Sequence, residues 1–254
     1  MHALFQSDDQ EPQSVVPATN VFPRIEGAEI AAATIGERAG GDFYDSIRVS
    51  PERVLFGLLD VAGRRETNQA ILTAAQEMFR EAGLELFASS DVNESDAMTA
   101  LCLHLNRRLI EVSAGVHSCP AFIGCYHERF GTLCYTNAGH TPGLLRDRTG
   151  VIELPSTGLP LGLFSHATCD SPIVGVEKGS ALLLVSRGVI ESSAGDDGNS
   201  DTEFSVERVK HLLGSLPLKR AEEICASILN AASESARTSL EHEDRTALAL
   251  LRAG

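Results

Sequence analysis

Positive charge is scarce in this sequence: 21 Lys and Arg stand against 35 Asp and Glu, a formal net charge of −14. Nucleic-acid and anionic-membrane surfaces are built from basic patches, so neither is expected as a partner. No stretch approaches the roughly 18 apolar residues of a membrane-spanning helix. The first residues, Met1 to Asp9, lack the basic start and long apolar centre of a secretory leader. Together these absences lead to the expectation of a cytoplasmic protein. The six cysteines include no C-x-x-C pair and no His/Cys cluster at zinc spacing. Scattered reduced thiols in apolar runs are therefore expected in preference to a disulfide framework. Internal repeats and a low-complexity core are also missing.

With 254 residues and 43% hydrophobic content, the chain can bury a full core. Residues 1–20 are polar, contain Pro12 and Pro17, and read as a loose tail, leaving one domain over 21–254. Strands are expected at 28–35, 46–49, 53–60, 121–128, 132–138, 144–147, 151–154, 180–186 and 247–251. Helices are expected at 67–87, 96–112, 204–213 and 218–239, where apolar residues recur at helical spacing. Strands near both ends with helical pairs between and after them imply an α+β layered fold.

The chemistry concentrates in Gly40-Gly41-Asp42-Phe43-Tyr44-Asp45, read as a loop, and in the apolar strand that ends at Asp60-Val61-Ala62-Gly63. Glycines permit close backbone approach, and carboxylates at a strand end suit a hard cation such as magnesium or manganese. An alternative reading makes Asp42, Asp45 and Asp60 ordinary turn caps.

These motifs resemble the start of the PPM-type metal-dependent serine/threonine phosphatases, in the bacterial SpoIIE-like branch. The likeness continues through Asn137-Ala138-Gly139-His140-Thr141-Pro142 and Gly158-Leu159-Pro160-Leu161-Gly162, and spans about residues 22–251. It implies a central sandwich of two antiparallel β-sheets flanked by helices on both sides. It also implies hydrolysis of phosphoserine or phosphothreonine by metal-activated water, on a phosphorylated regulator of the anti-anti-sigma type. Carried over position by position, Asp42 and Asp60 match metal-holding acids, and the Val61 carbonyl matches a backbone ligand. The family's T-D-G turn falls on Ser186-Arg187-Gly188, and its D-D-x-T turn on Glu243-Asp244-Arg245-Thr246. Glu243, with Asp244 beside it, would complete the shell for one or two Mn²⁺ or Mg²⁺ ions.

Arg187 is the main departure, because a guanidinium cannot ligate a cation. Three readings stand. Arg187 replaces the metal by pairing with the buried carboxylates, it grips substrate phosphate beside one remaining cation, or it faces solvent while Glu191 supplies the missing oxygen. The corresponding functions are a working phosphatase and an impaired pseudophosphatase that binds a phosphoprotein or regulator. A purely structural domain is a third possibility. His140 is a candidate acid or base, although its loop also reads as structural.

Overall fold

The computed structural model describes residues 16–17, 22–35, 41–61, 65–113, 118–166, 168–191, 204–235 and 244–254, with backbone alone at 16–17, 65–67 and 191. Two antiparallel sheets stack face to face. The first runs in the order β1 (Val16–Pro17), β2 (Ala28–Ile35), β11 (Arg245–Arg252), β10 (Ala181–Val185), β7 (Gly143–Arg146) and β8 (Val151–Leu154). The second runs β3 (Asp42–Ser50), β4 (Arg53–Asp60), β5 (Ala121–His127), β6 (Thr132–Ala138) and β9 (Ile173–Gly175). Helices α1 (Arg65–Leu86) and α2 (Glu94–Val112) cover the outer face of the second sheet, and α4 (Val206–Ser215) and α5 (Ala221–Ser235) that of the first.

The four layers follow from strand periodicity, since successive side chains point to opposite faces. In β4, Val54, Phe56 and Leu58 enter the core between the sheets, while Leu55 and Leu59 pack under α1 and α2. In β11, Leu248 and Leu250 point inward, whereas Ala247, Ala249 and Leu251 face α4 and α5. A strand buried on both faces is apolar at nearly every position, which is why β4 reads as a continuous run. The small side chains of Ala31 and Ala33 let α5 approach closely enough for the Cys225 thiol to donate to the Ala31 carbonyl at 3.6 Å.

The expected sandwich is the observed one, with local corrections. Residues 42–45, read as loop, are the opening residues of β3, because Asp42 and Asp45 pair across to Asp60 and Gly57 in the β4 ladder. Helix α2 begins at Glu94 instead of 96. The Asn93 side chain caps it by accepting from the Ser95 and Asp96 N–H groups. Arg187 opens a short helix, α3 (Arg187–Glu191), that was not expected, and β9 was likewise missed. Within the tail expected to be loose, residues 16–17 pair with Thr34 and Ala33. The rest of residues 1–20 lies outside the described residues.

A buried ion pair fixes the turn between α1 and α2. Arg53 Nε donates to Glu94 Oε1 at 2.6 Å, and its terminal nitrogens donate to the Ser89 and Ser90 carbonyls at 3.3 and 3.1 Å. Both partners are more than nine-tenths buried. Removing one member of such a pair strands the other charge, so Glu94→Ala is expected to destabilise the fold by about 3–5 kcal/mol in urea denaturation. Glu111→Ala, which breaks the exposed pair with Arg108, should cost less than about 1 kcal/mol.

Candidate active site

Inward-facing positions at one end of the sandwich converge from both sheets. Thr34 of β2, Asp42 of β3, Asp60 of β4, Ser186 just after β10, and Asp244 and Thr246 at the start of β11 all share the parity of the inner core residues on their strands. Asp42 and Asp60 are directly opposite in the β3–β4 ladder. Their Cβ atoms are therefore roughly 4.5–5.5 Å apart.

Asp42 is tied to the other sheet. The hydroxyls of Thr246 and Ser186 donate to its carboxylate. Those two residues clip together, Thr246 N–H donating to Ser186 Oγ at 3.0 Å and Ser186 N–H to the Thr246 carbonyl at 2.9 Å. Thr34 Oγ1 lies 3.3 Å from Thr246 Oγ1 and extends the chain of hydroxyls. The Oδ2 atom of Asp42 is buried and finds no hydrogen-bond partner among the described residues. Burial, then the neighbouring Asp60 charge, push the Asp42 carboxyl up to about 8. The two hydroxyls offset this only in part, and Asp244 adds a smaller push upward.

Asp60 is 8% exposed and is held by the chain itself. Its N–H donates to the Pro120 carbonyl at 2.9 Å. Its Oδ2 accepts the Arg187 backbone N–H at 3.2 Å and lies 3.8 Å from Arg187 Nε. The Arg187 side chain is 45% exposed, so its pairing with Asp60 is solvent-screened. Next along the chain, Val61 N–H donates to the Gly41 carbonyl at 3.2 Å. A Cβ at position 41 would fall 1.7 Å from the Val61 oxygen, so only glycine lets the two segments pass.

His140 sits beside this cluster, 6% exposed. Its N–H donates to Asn137 Oδ1 at 2.8 Å, and Asn137 Nδ2 donates to the Thr141 and Leu154 carbonyls. Asn137 thus shapes the turn. Gly139 completes it at φ +69°, packed against Pro160 where no Cβ fits. Thr141 Oγ1 donates to the Val185 carbonyl at 2.5 Å and so must accept from His140 Nδ1, 3.0 Å away. The imidazole consequently carries its proton on Nδ1 and leaves Nε2 as a buried acceptor without a hydrogen-bond partner among the described residues. Burial holds its pKa below the usual histidine value, against smaller upward pulls from the Thr141 carbonyl and from Asp60.

Of the residues singled out from the sequence, the structure brings together Asp42, Asp60, Val61, Asp244 and Arg187. Gly40, Ala62, Gly63 and Glu243 lie outside the described residues, as does the Glu191 side chain. Asp45 belongs elsewhere. Three positions after Asp42, it faces the helices, 1% exposed, and forms a two-pronged pair with Arg80 of α1 at 2.6 and 2.7 Å. The turn-cap reading of Asp45 is therefore replaced by a tie between β3 and α1. The roles of Ser186, Thr246 and Thr34 escaped the sequence reading. Their inward parity was the available signal.

Among the described residues, no three His, Cys, Asp or Glu side chains stand close enough to hold a metal ion. Three features still suit a hard cation. One is the orphaned Asp42 oxygen, another the Val61 carbonyl in its glycine-lined cradle, and the third the facing pair of carboxylates, Asp42 and Asp60. These residues fit part of a shell, with other oxygens left to water or to Glu243.

A family model for Stage II sporulation protein E (SpoIIE) matches residues 50–253. The chain belongs to the SpoIIE family. A curated relative, phosphoserine phosphatase RsbP of Bacillus subtilis (strain 168), is 25% identical over 158 residues, 61% of this chain and 37% of that protein. The alignment therefore spans little more than a third of RsbP. Among solved structures, the RsbU and RsbW domains of a Mycobacterium tuberculosis protein superpose with a TM-score of 0.72 at 22% identity, covering 91% of this chain and 62% of that one. The SiaA-PP2C domain of Pseudomonas aeruginosa gives 0.71 at 17% identity, covering 89% and 85%. At these identities the structures establish the PP2C-type fold of this SpoIIE-family chain. No helix among the described residues is long and apolar enough to cross a membrane.

The raised Asp42 carboxyl gives the site a pH signature. An Asp that ionises near 4 when unfolded and near 8 when folded binds a proton preferentially in the folded state, so stability falls as pH rises between those values. In chelator, the urea midpoint should drop from pH 5 to pH 8, and Asp42→Asn should flatten that slope. Manganese should restore stability at pH 8 in the natural protein only. A midpoint rising with pH in chelator would contradict the assigned protonation.

Proposed function

We propose that this SpoIIE-family chain is a protein serine/threonine phosphatase that hydrolyses a phosphomonoester on a regulatory protein, with a single Mn²⁺ or Mg²⁺ at Asp42 and Asp60. The observation that carries the reading is the facing pair Asp42 and Asp60, with one Asp42 oxygen buried and unsatisfied among the described residues. A buried oxygen of this kind calls for a proton or a cation. The Val61 carbonyl, Asp244 and Glu243 are the remaining candidate donors. A cation held there would activate water and neutralise charge on the phosphoryl group.

The chain's own residues do the rest. Ser186 and Thr246 fix the second oxygen of Asp42, so that its buried oxygen points consistently as the carboxyl loses its proton. The Arg187 N–H orients Asp60. The half-exposed Arg187 guanidinium stands at the mouth of the cluster and is suited to a two-pronged grip on substrate phosphate. Likeness to a phosphoserine phosphatase supports phosphoserine or phosphothreonine as the substrate class. A phosphorylated regulator of the anti-anti-sigma type remains the partner the family resemblance implies.

One observation favours a second reading. With Arg187 Nε 3.8 Å from Asp60 Oδ2, the chain supplies its own counter-charge to that carboxylate. Under this reading the protein binds phosphoprotein without turnover.

Manganese-dependent hydrolysis of an aryl phosphate, with calorimetric manganese binding, separates the two. For a phosphatase, binding and turnover disappear in Asp60→Asn, and Arg187→Ala raises KM about tenfold, as loss of a charged hydrogen bond of roughly 1.5 kcal/mol implies. For a pseudophosphatase, the natural protein takes up no manganese, and uptake or turnover emerges in Arg187→Asp.

A further inference from the structure

The His140 turn takes no part in the chemistry proposed above, yet one of its side chains reaches the site. Strand β10 pairs with β7 up to Leu183 opposite Leu144, and the same register carried two residues further sets Val185 opposite Pro142. Proline has no N–H to give to a ladder. The Thr141 hydroxyl supplies the missing donor, reaching the Val185 carbonyl at 2.5 Å. Its single proton is committed there, because His140 Nδ1, 3.0 Å away, donates to the same oxygen. Asn137 holds the turn from behind, its Oδ1 accepting the His140 N–H at 2.8 Å and its Nδ2 donating to the Thr141 carbonyl at 3.2 Å.

Val185 is followed by the two residues that hold the acids. Ser186 is clipped to β11, its N–H donating to the Thr246 carbonyl at 2.9 Å and its Oγ accepting the Thr246 N–H at 3.0 Å. Its carbonyl accepts the Val189 N–H at 3.1 Å as α3 begins. Arg187 N–H then donates to Asp60 Oδ2 at 3.2 Å. This short segment is held by β11 on one side and, where the β7 ladder has ended, by Thr141 on the other. We propose that Thr141 is a positioning residue for Asp60, clamping the Val185 carbonyl so that the Arg187 N–H stays aimed at the carboxylate.

The role requires a hydroxyl and little else. Thr141 is half-buried, so valine keeps its shape without the donor, and serine keeps the donor without the methyl group. Without the clamp, β10 is free to splay from the β7 side at Val185, and the Arg187 N–H two residues on loses its fixed direction. Groups that orient a metal-holding side chain set metal affinity by about 10–100-fold. The consequence for a cation rests on the proposed reading of Asp42 and Asp60 as its holders. The clamp on Arg187 stands apart from that reading.

The test compares the full natural chain with Thr141→Val, Thr141→Ala and Thr141→Ser, first by amide hydrogen exchange in chelator. Thr141→Val should speed exchange of the Arg187 N–H about tenfold, the loss expected from one hydrogen bond, while Leu182 and Leu248 in the middle of the sheet keep their natural rates. Thr141→Ser should restore the natural Arg187 rate. Thr141→Ala repeats the measurement should the valine variant fail to fold. With manganese added, Thr141→Val should bind the ion about 10–100-fold more weakly by calorimetry and hydrolyse aryl phosphate with a lower kcat, both recovered in Thr141→Ser. An Arg187 exchange rate unchanged in both Thr141→Val and Thr141→Ala would overturn the proposal, as would a change that serine does not reverse. A natural chain that takes up no manganese would defeat the reading of the acids, and the exchange rates would still decide the role of Thr141.

Discussion

The site depends on a carboxylate from one sheet being held by hydroxyls from the other. Asp42 belongs to the β3–β4 sheet, yet its hydrogen-bond donors, Ser186 and Thr246, sit where β10 ends and β11 begins in the opposite sheet. Those donors satisfy one oxygen. The other is left buried next to Asp60, where two carboxylates cannot both be ionised without a counter-charge. Everything else in the cluster answers that imbalance, whether the counter-charge is a proton on Asp42, a cation, or the Arg187 guanidinium. The hydroxyl clip also keeps the two sheets in register at this end, since displacing β11 by one residue would turn Thr246 and Asp244 outward.

Arg187 alters the balance without abolishing it. Its backbone N–H reaches Asp60 whatever its side chain does, because α3 begins there and the first N–H groups of a helix lack partners within it. The guanidinium adds a second contact to the same oxygen, at a distance and exposure where water screens it strongly. A screened charge of this kind competes weakly with a divalent ion for Asp60, and its exposed face can be reached by a phosphate arriving from solvent. This is the physical ground for preferring the catalytic reading over the pseudophosphatase.

Much of the fold was legible because its cause is local. The β2 and β4 strands were placed at their observed bounds by apolar runs between turn residues, and the α1 and α2 helices to within two residues by their periodicity. The layer order came from the family resemblance, since strand spacing alone does not say which sheet a strand joins. At the site, Asp42 and Asp60 were legible as acids at the margins of an apolar strand. Ser186, Thr246 and Thr34 were not, because a hydroxyl signals a role only through its partners, and these lie far away along the chain. Asp45 shows the limit most plainly. In sequence it is equivalent to Asp42, and the three-residue offset alone sends it to the opposite face and into the pair with Arg80.

That opposite placement links the site to the helical layer. Asp45 and Asp42 sit on one short length of β3, the first gripped from outside by Arg80 of α1 and the second from inside by Ser186 and Thr246. Asp42 thus faces its ladder partner Asp60 at a distance set by a strand that is held from both sides. The electrostatic coupling between the two acids varies inversely with that distance and is strong in a buried setting. The pairing of the two acids therefore rests on a strand end anchored to α1 on one face and to the opposite sheet on the other.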